Sequence, residues 1–340
     1  MLATQNIAIN NMDTVPVKTT RVPRLVNVIT DYRAYHQDVQ FMQDGSIVTV
    51  GHSNVIKFYA KNGDMLTYCL DLSSDYPVGQ FRTKGINCLG VSPDGSKLAI
   101  GIASGDMLVY DISLRASSGF TRIFKFDHLT HDPESKTNVS GYTNKSVNAV
   151  CWSQDGNFLY VGGAHYVYKL DNSGNIVNIY NLTLRDNVSV QTIKVSSDRV
   201  VVGTWDGAIY LFDHSGNKLM EDRVDCWVRA IGIDEQSNCF YTCVGNEGNP
   251  TPILTMYNLE TGSIINQIRS RCGSWVQSIA VSHSHIYLAC NDDLVYVYTK
   301  DMEFIRTLYG EFCHCDGVEI SPDGSKLLAY DMHKVSVMDL

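Results

Sequence analysis

The chain has 340 residues, 44% of them hydrophobic and 19% charged, with a formal net charge of −9. This is enough for one large all-β domain or two ordinary ones, and the longest apolar runs are far too short to cross a bilayer as a helix. No block of Lys and Arg offsets the acidity, so the chain lacks the phosphate neutralisation on which nucleic-acid binding rests. Neither nucleic acid nor membrane insertion is expected.

The opening stretch MLATQNIAINNMDTVPVKTT has no basic segment followed by an apolar one. It does not read as a secretory signal, and a place in the cytoplasm or within a macromolecular assembly, a virion included, is expected. Residues 1–22 read as an N-terminal arm and residues 23–340 as one folded unit. Ten cysteines fit no disulfide framework, so most are expected to be buried thiols.

The first β-rich run, 24-RLVNVIT-30, has no partner of its own. Further on, SPDGSKL occurs twice, at 92–98 and 321–327, each time between runs of β-formers. Asp-Gly between hydrophobic runs is a tight hairpin signal, because glycine takes positive φ without steric cost. Aligning on the apolar run before that turn gives seven units, starting at Asp38, Ile86, Val147, Val190, Val228, Val276 and Gly317. In the fourth unit four strands are legible: VQTIKVS, RVVVGTW, AIYLFD and KLMEDRV. Gly- and Asn-rich turns at 61–64, 172–175, 214–217 and 260–262 separate third from fourth strands. No sustained 3.6-residue periodicity appears, so helix is expected to be nearly absent. A period of roughly 40 to 50 residues built only of strands and turns is the signature of propeller blades.

The last unit supplies GVEIS, KLLAY and VSVMDL but no fourth strand. The run 24–30 is expected to fill that place, closing the ring without an open edge. The predicted fold is therefore an all-β, seven-bladed β-propeller of four-stranded antiparallel blades, closed by an N-terminal strand that completes the last blade.

The segment 91-VSPDGSKLAIGIASGDMLVYDI-112 resembles the WD-repeat family of seven-bladed propellers, and so does Trp205-Asp206-Gly207 followed by AIYLFD. The resemblance covers residues 24–340, with the family's Trp-Asp pair appearing as Tyr110-Asp111, Phe212-Asp213 and Met338-Asp339. It implies that the contact surface is the face carrying the loops from fourth to first strand and from second to third strand.

Trp205, Trp227 and Trp275 fall in those loops, and Tyr32, Tyr35 and His36 occupy the equivalent loop of the first unit. Aromatic residues among polar neighbours are enriched at interface hot spots. The competing reading wedges the rings between blades as core. The longest insertion, 127–146, lies on the same face; its His128 and His131 have no closing metal ligand, so a solvated polar loop is expected. Cys226, Cys272, Cys313 and Cys315 approach one end of the ring, the last two around His314. A thiol cluster for zinc or a disulfide is the sharper reading and unrelated buried thiols the plainer one.

No P-loop, nucleophile elbow or zincin helix is present. Asp94, Asp155 and Asp323 recur in equivalent turns, which marks them as turn chemistry. The expectation is a non-enzymatic propeller without cofactor. It would serve as a rigid platform for other proteins or as a structural component of a larger assembly such as a viral particle. The alternative is a propeller enzyme or small-ligand binder, lactonase-like or quinoprotein-like, that uses the central channel. The inner strands read mostly as Gly, Ala, Val, Ser and Thr, so a channel lined by small and apolar residues is expected.

Overall fold

The repeated Asp-Gly turns each join two strands of one sheet. In the first, the Asp94 carboxylate accepts from Ser92 Oγ at 2.6 Å and from the Ser96 N–H at 3.0 Å, while Gly95 turns the chain at φ +71°. Asp323 repeats the arrangement with Ser321 Oγ at 2.6 Å and the Ser325 N–H at 3.0 Å, beside Gly324 at φ +70°. Asp155 accepts likewise from Ser153 Oγ and the Asn157 N–H. These donors, the serine hydroxyls above all, hold the Asp94 and Asp323 carboxyls at about 2. The recurrent aspartates brace turns, as their recurrence indicates.

The computed structural model describes residues 24–30, 36–51, 53–62, 64–76, 85–117, 119–131, 146–183, 189–246, 249–310 and 313–340. The strands form seven four-stranded antiparallel sheets, each ordered from an inner to an outer strand. In chain order the inner strands are His36–Phe41, Ile86–Val91, Ala149–Trp152, Val190–Val195, Ile231–Asp234, Val276–Val281 and Gly317–Ile320, which number blades 1 to 7. Blade 4 comprises Val190–Val195, Arg199–Thr204, Ala208–Asp213 and Lys218–Arg223, the four strands read from the sequence. Helix is confined, among the described residues, to two single 3-10 turns, Arg115–Ser117 and His128–Thr130. None is long and apolar enough to cross a membrane. The N-terminal arm, 1–22, lies outside the described residues.

The apolar core is divided into seven clusters, one between each neighbouring pair of blades. This explains strands that are apolar on both faces. In the third strand of blade 4, Tyr210 and Phe212 pack toward blade 3 while Ile209 and Leu211 pack toward blade 5. Successive side chains of a strand point to opposite sides, so alternation here sorts residues between two cores rather than between core and water.

Adjacent blades are also stitched through the backbone. The N–H groups of Val147, Val190 and Val228 bond the carbonyls of Ile102, Gly163 and Thr204 on the preceding blade, at 3.1, 3.3 and 2.9 Å. Each valine is fully buried and lies against a second-strand glycine. A Cβ added to Gly101, Gly162 or Gly203 would approach that valine's side chain to 2.7, 2.6 or 2.7 Å. The missing side chain admits the neighbour.

Blade 7 is completed by Arg24–Thr30, which pairs antiparallel with Lys334–Asp339: Leu25 faces Met338, Val28 faces Ser336 and Ile29 faces Val335. The start of the folded unit and the end of the chain share one sheet. The predicted ring closure is what the structure shows.

Candidate interaction face and channel

Trp205 sits in the loop between second and third strands of blade 4. Its N–H bonds the Ser189 carbonyl at 3.0 Å, and the next residue, Asp206, is held by Thr204 Oγ1 at 2.6 Å and Arg223 Nη1 at 2.8 Å. Gly207 follows at φ +85°, where an added Cβ would lie 1.9 Å from the Val224 carbonyl oxygen. Only glycine closes this turn. Trp227 precedes Val228 in the loop entering blade 5, and Trp275 ends the loop entering blade 6, its carbonyl accepting from the Asn291 N–H at 2.9 Å.

These three loops bring the tryptophans together. The Trp205 and Trp227 rings stack with centroids 3.8 Å apart at 20°, and Trp227 and Trp275 are 5.7 Å apart at 46°. Trp205 and Trp275 remain 39% and 41% exposed, with Trp227 half-buried between them. The rings pack on each other at the surface instead of wedging into the interblade cores. Behind them lies a small recess lined by Cys226, Trp227, Arg229, Trp275 and Gln277. Of the other residues singled out, His36 opens the inner strand of blade 1 opposite Gly51. Tyr32 and Tyr35 lie outside the described residues.

The four cysteines singled out lie in different parts of the ring. Cys272 packs with Cys243 and Cys290 in the core between blades 5 and 6, Cys315 is buried between blades 6 and 7, Cys226 packs against the core between blades 4 and 5, and Cys313 is exposed. A hydrogen bond with Cys243 raises the Cys272 thiol and one with Cys272 raises the Cys290 thiol, burial adding to both. No group of three or more His, Cys, Asp or Glu suited to a metal occurs among the described residues. The start of the long insertion also differs from expectation. His128 is fully buried in a 3-10 turn capped by Asp127, and His131 stacks on Phe126 with centroids 5.3 Å apart. Residues 132–145 lie outside the described set.

The channel also departs from expectation. Its upper mouth, about 280 Å³, is lined by one polar residue from the start of each inner strand: Gln37, Asn87, Asn148, Gln191, Arg229, Gln277 and Asp316. Parts of this ring are bonded, with Asn87 donating to Asn148 at 2.9 Å and Arg229 Nη1 to Gln277 Oε1 at 2.8 Å. Desolvation pushes the Asp316 carboxyl up to about 6, against the pull of Arg229. The signal was present as a recurring pair, I-N, V-N, V-Q, V-R and V-Q, at 86–87, 147–148, 190–191, 228–229 and 276–277. Its apolar member enters the interblade core and its polar member faces the channel.

Deeper in the channel, carboxylates link neighbouring inner strands. Asp38 accepts from the Leu89 N–H at 3.0 Å and Glu319 from the Phe41 N–H at 2.8 Å. Both groups are half-buried in the channel wall. That enclosure raises Asp38 to about 6 and Glu319 to about 8. Below them the lower mouth, about 320 Å³, is lined by aliphatic side chains together with Gln154, Lys194, Glu235 and Glu319. Among the described residues, Lys194 alone lines both mouths.

A family model described as WD domain, G-beta repeat matches residues 134–171. No curated protein matches the chain at a significant level.

Proposed function

We propose that this WD-repeat-like seven-bladed propeller is a rigid, non-catalytic platform that binds another protein across the tryptophan run of blades 4 to 6. Propellers of this kind commonly mediate protein–protein interaction. The observation that carries the reading is the run itself: two indoles, each about two-fifths exposed, held in fixed register by backbone-bonded loops. Rigid aromatic area lowers the ordering cost of binding and is typical of energetic hot spots. Placement in a larger assembly would use the same surface.

The test is affinity capture from the native source with wild type and with Trp227→Ala plus Trp275→Ala. Loss of a discrete partner in the variant supports the platform, whereas equal recovery removes the tryptophan run from consideration. One observation favours a second reading, a ligand in the channel: its upper mouth is polar and partly charged instead of small and apolar. Elemental analysis showing one tightly held calcium or zinc ion per chain would favour that reading over the first.

A further inference from the structure

The surface tryptophans differ from the one in the core in what their N–H groups do. Trp152, buried between blades 2 and 3, donates from Nε1 to the Gly90 carbonyl at 2.9 Å. The indole nitrogens of Trp205, Trp227 and Trp275 donate to no protein acceptor among the described residues, and that of Trp227 is not sealed from solvent. The rings are nonetheless fixed in place. Trp205 stacks on Trp227, and the pyrrole edge of Trp275 lies over Gly245 of blade 5, where an added Cβ would come within 3.1 Å of Trp275 Cδ1. Most charged groups of these loops are already engaged. Arg223 is paired with Asp206 and Glu221, Arg229 donates to Gln277, and Arg271 lies over the Phe304 ring, 4.7 Å from its centroid. Asp292 accepts from the Gly273 N–H and the Tyr296 hydroxyl, and Asp293 from the His314 N–H. Asp225 is exposed and has no such partner among the described residues.

We propose that the tryptophan run takes a proline-rich segment of a partner protein in the polyproline II conformation. This names the occupant of the platform described above and rests on that reading. An indole offers an apolar face and one hydrogen-bond donor but no acceptor. The complementary ligand therefore brings apolar rings and acceptors without competing donors. Proline brings both, because its ring packs on an indole and its peptide unit has a carbonyl but no N–H. A polyproline II backbone makes no internal hydrogen bonds, so its carbonyls stand free to accept from the indole N–H groups. Charge complementarity points the same way: the positive ends of the N–H dipoles meet carbonyl oxygens, and a neutral segment needs no counter-ion from loops whose charges are mostly engaged. Both sides are stiff before they meet, the segment by its fixed φ and the rings by their packing, which limits the ordering cost of binding. Aromatic surfaces that dock proline-rich segments work on these terms.

Calorimetric titration of the full chain with capped decaproline, set against a capped glycine–serine decapeptide, tests the proposal. One saturable site is expected for decaproline and none for the control. Trp205→Phe keeps an aromatic face but removes the N–H, and should weaken decaproline about fivefold, the worth of one hydrogen bond. Trp275→Ala removes face and donor together and should weaken it at least about tenfold. Both positions are exposed, and a thermal melt matching wild type confirms that each variant is folded. Asp225→Asn, and a rise in salt from about 50 to about 500 mM, should each change the affinity less than about twofold, because no ion pair is involved. Absence of saturable binding, equal binding of the control peptide, unchanged affinity in either tryptophan variant, or loss of binding in Asp225→Asn would each overturn the assignment. If decaproline fails to bind while affinity capture still loses its partner in the double tryptophan variant, the platform stands and its proposed occupant falls.

Discussion

Ile29 pairs directly with Val335 across the seam of blade 7, and both side chains are buried in the cluster that joins blade 7 to blade 1. A residue near the start of the folded unit thus shares a core with one near its end. Ile29→Ala should lower unfolding free energy by about 2–4 kcal/mol, the cost of emptying a packed aliphatic site. Leu25→Ala, on the same strand but 40% exposed, should cost under about 1 kcal/mol. Urea denaturation distinguishes the two, and equal effects would mean that the seam does not carry the closure.

The turn aspartates set an acid limit. Asp94 and Asp323 titrate at about 2 when folded, against an ordinary value of 3.8. Their contribution is present above the unfolded value and is lost as pH falls through the folded one. Asp94→Asn should therefore reduce stability at neutral pH and narrow its gap from wild type in strong acid. A gap that widens on acidification would contradict the turn role.

Glu319 acts with the opposite sign. Its folded value is raised to about 8 from 4.5, so the stability linked to its retained proton is complete below the unfolded value and lost as pH rises through the folded one. Asp38, raised to about 6 from 3.8, adds the same trend in a lower window. Glu319→Gln keeps an acceptor for the Phe41 N–H without the buried charge. Its denaturation midpoint should exceed that of wild type at alkaline pH and approach it in mild acid; a pH-independent difference would exclude the linkage.

The stacked indoles of Trp205 and Trp227 are close enough for their excited states to couple. Wild type should show an exciton couplet in its circular dichroism that changes in Trp205→Ala, where the Trp227–Trp275 pair remains, and disappears in Trp227→Ala, which breaks both pairs. Trp227→Ala should cost about 1–3 kcal/mol of stability, less than deletion of a fully buried ring. A couplet that survives Trp227→Ala would place the stack elsewhere.

Thiol labelling checks the packing of the cysteines. Cys69 and Cys313 are exposed and should react first with a water-soluble disulfide reagent, followed by half-buried Cys151 and Cys226. Cys243, Cys272 and Cys290 should react only on unfolding. Rapid modification of Cys272 in the native protein would refute its place in the core.

The sequence by itself determined the architecture, because the devices that build it are local. Asp94 and Asp323 bond within their own turns, the repeated apolar runs fix the number of inner strands, and the unpartnered run 24–30 matches the place left open in blade 7. The tertiary structure decided what each blade presents to its neighbours and to the channel. Trp205, Trp227 and Trp275 are separated along the chain and meet only because three loops converge. Cys272 joins Cys243 and Cys290 because two neighbouring blades share a core, and His128 is buried because its ring lies against Gly163 of the next blade. The polar residues beside Val147, Val190 and Val228 were visible as letters, but strand alternation assigns them to the channel only once the ring sets which side of each inner strand is central. Contacts within a turn are encoded by adjacent residues, whereas contacts between blades depend on a rotation about an axis that no single repeat contains.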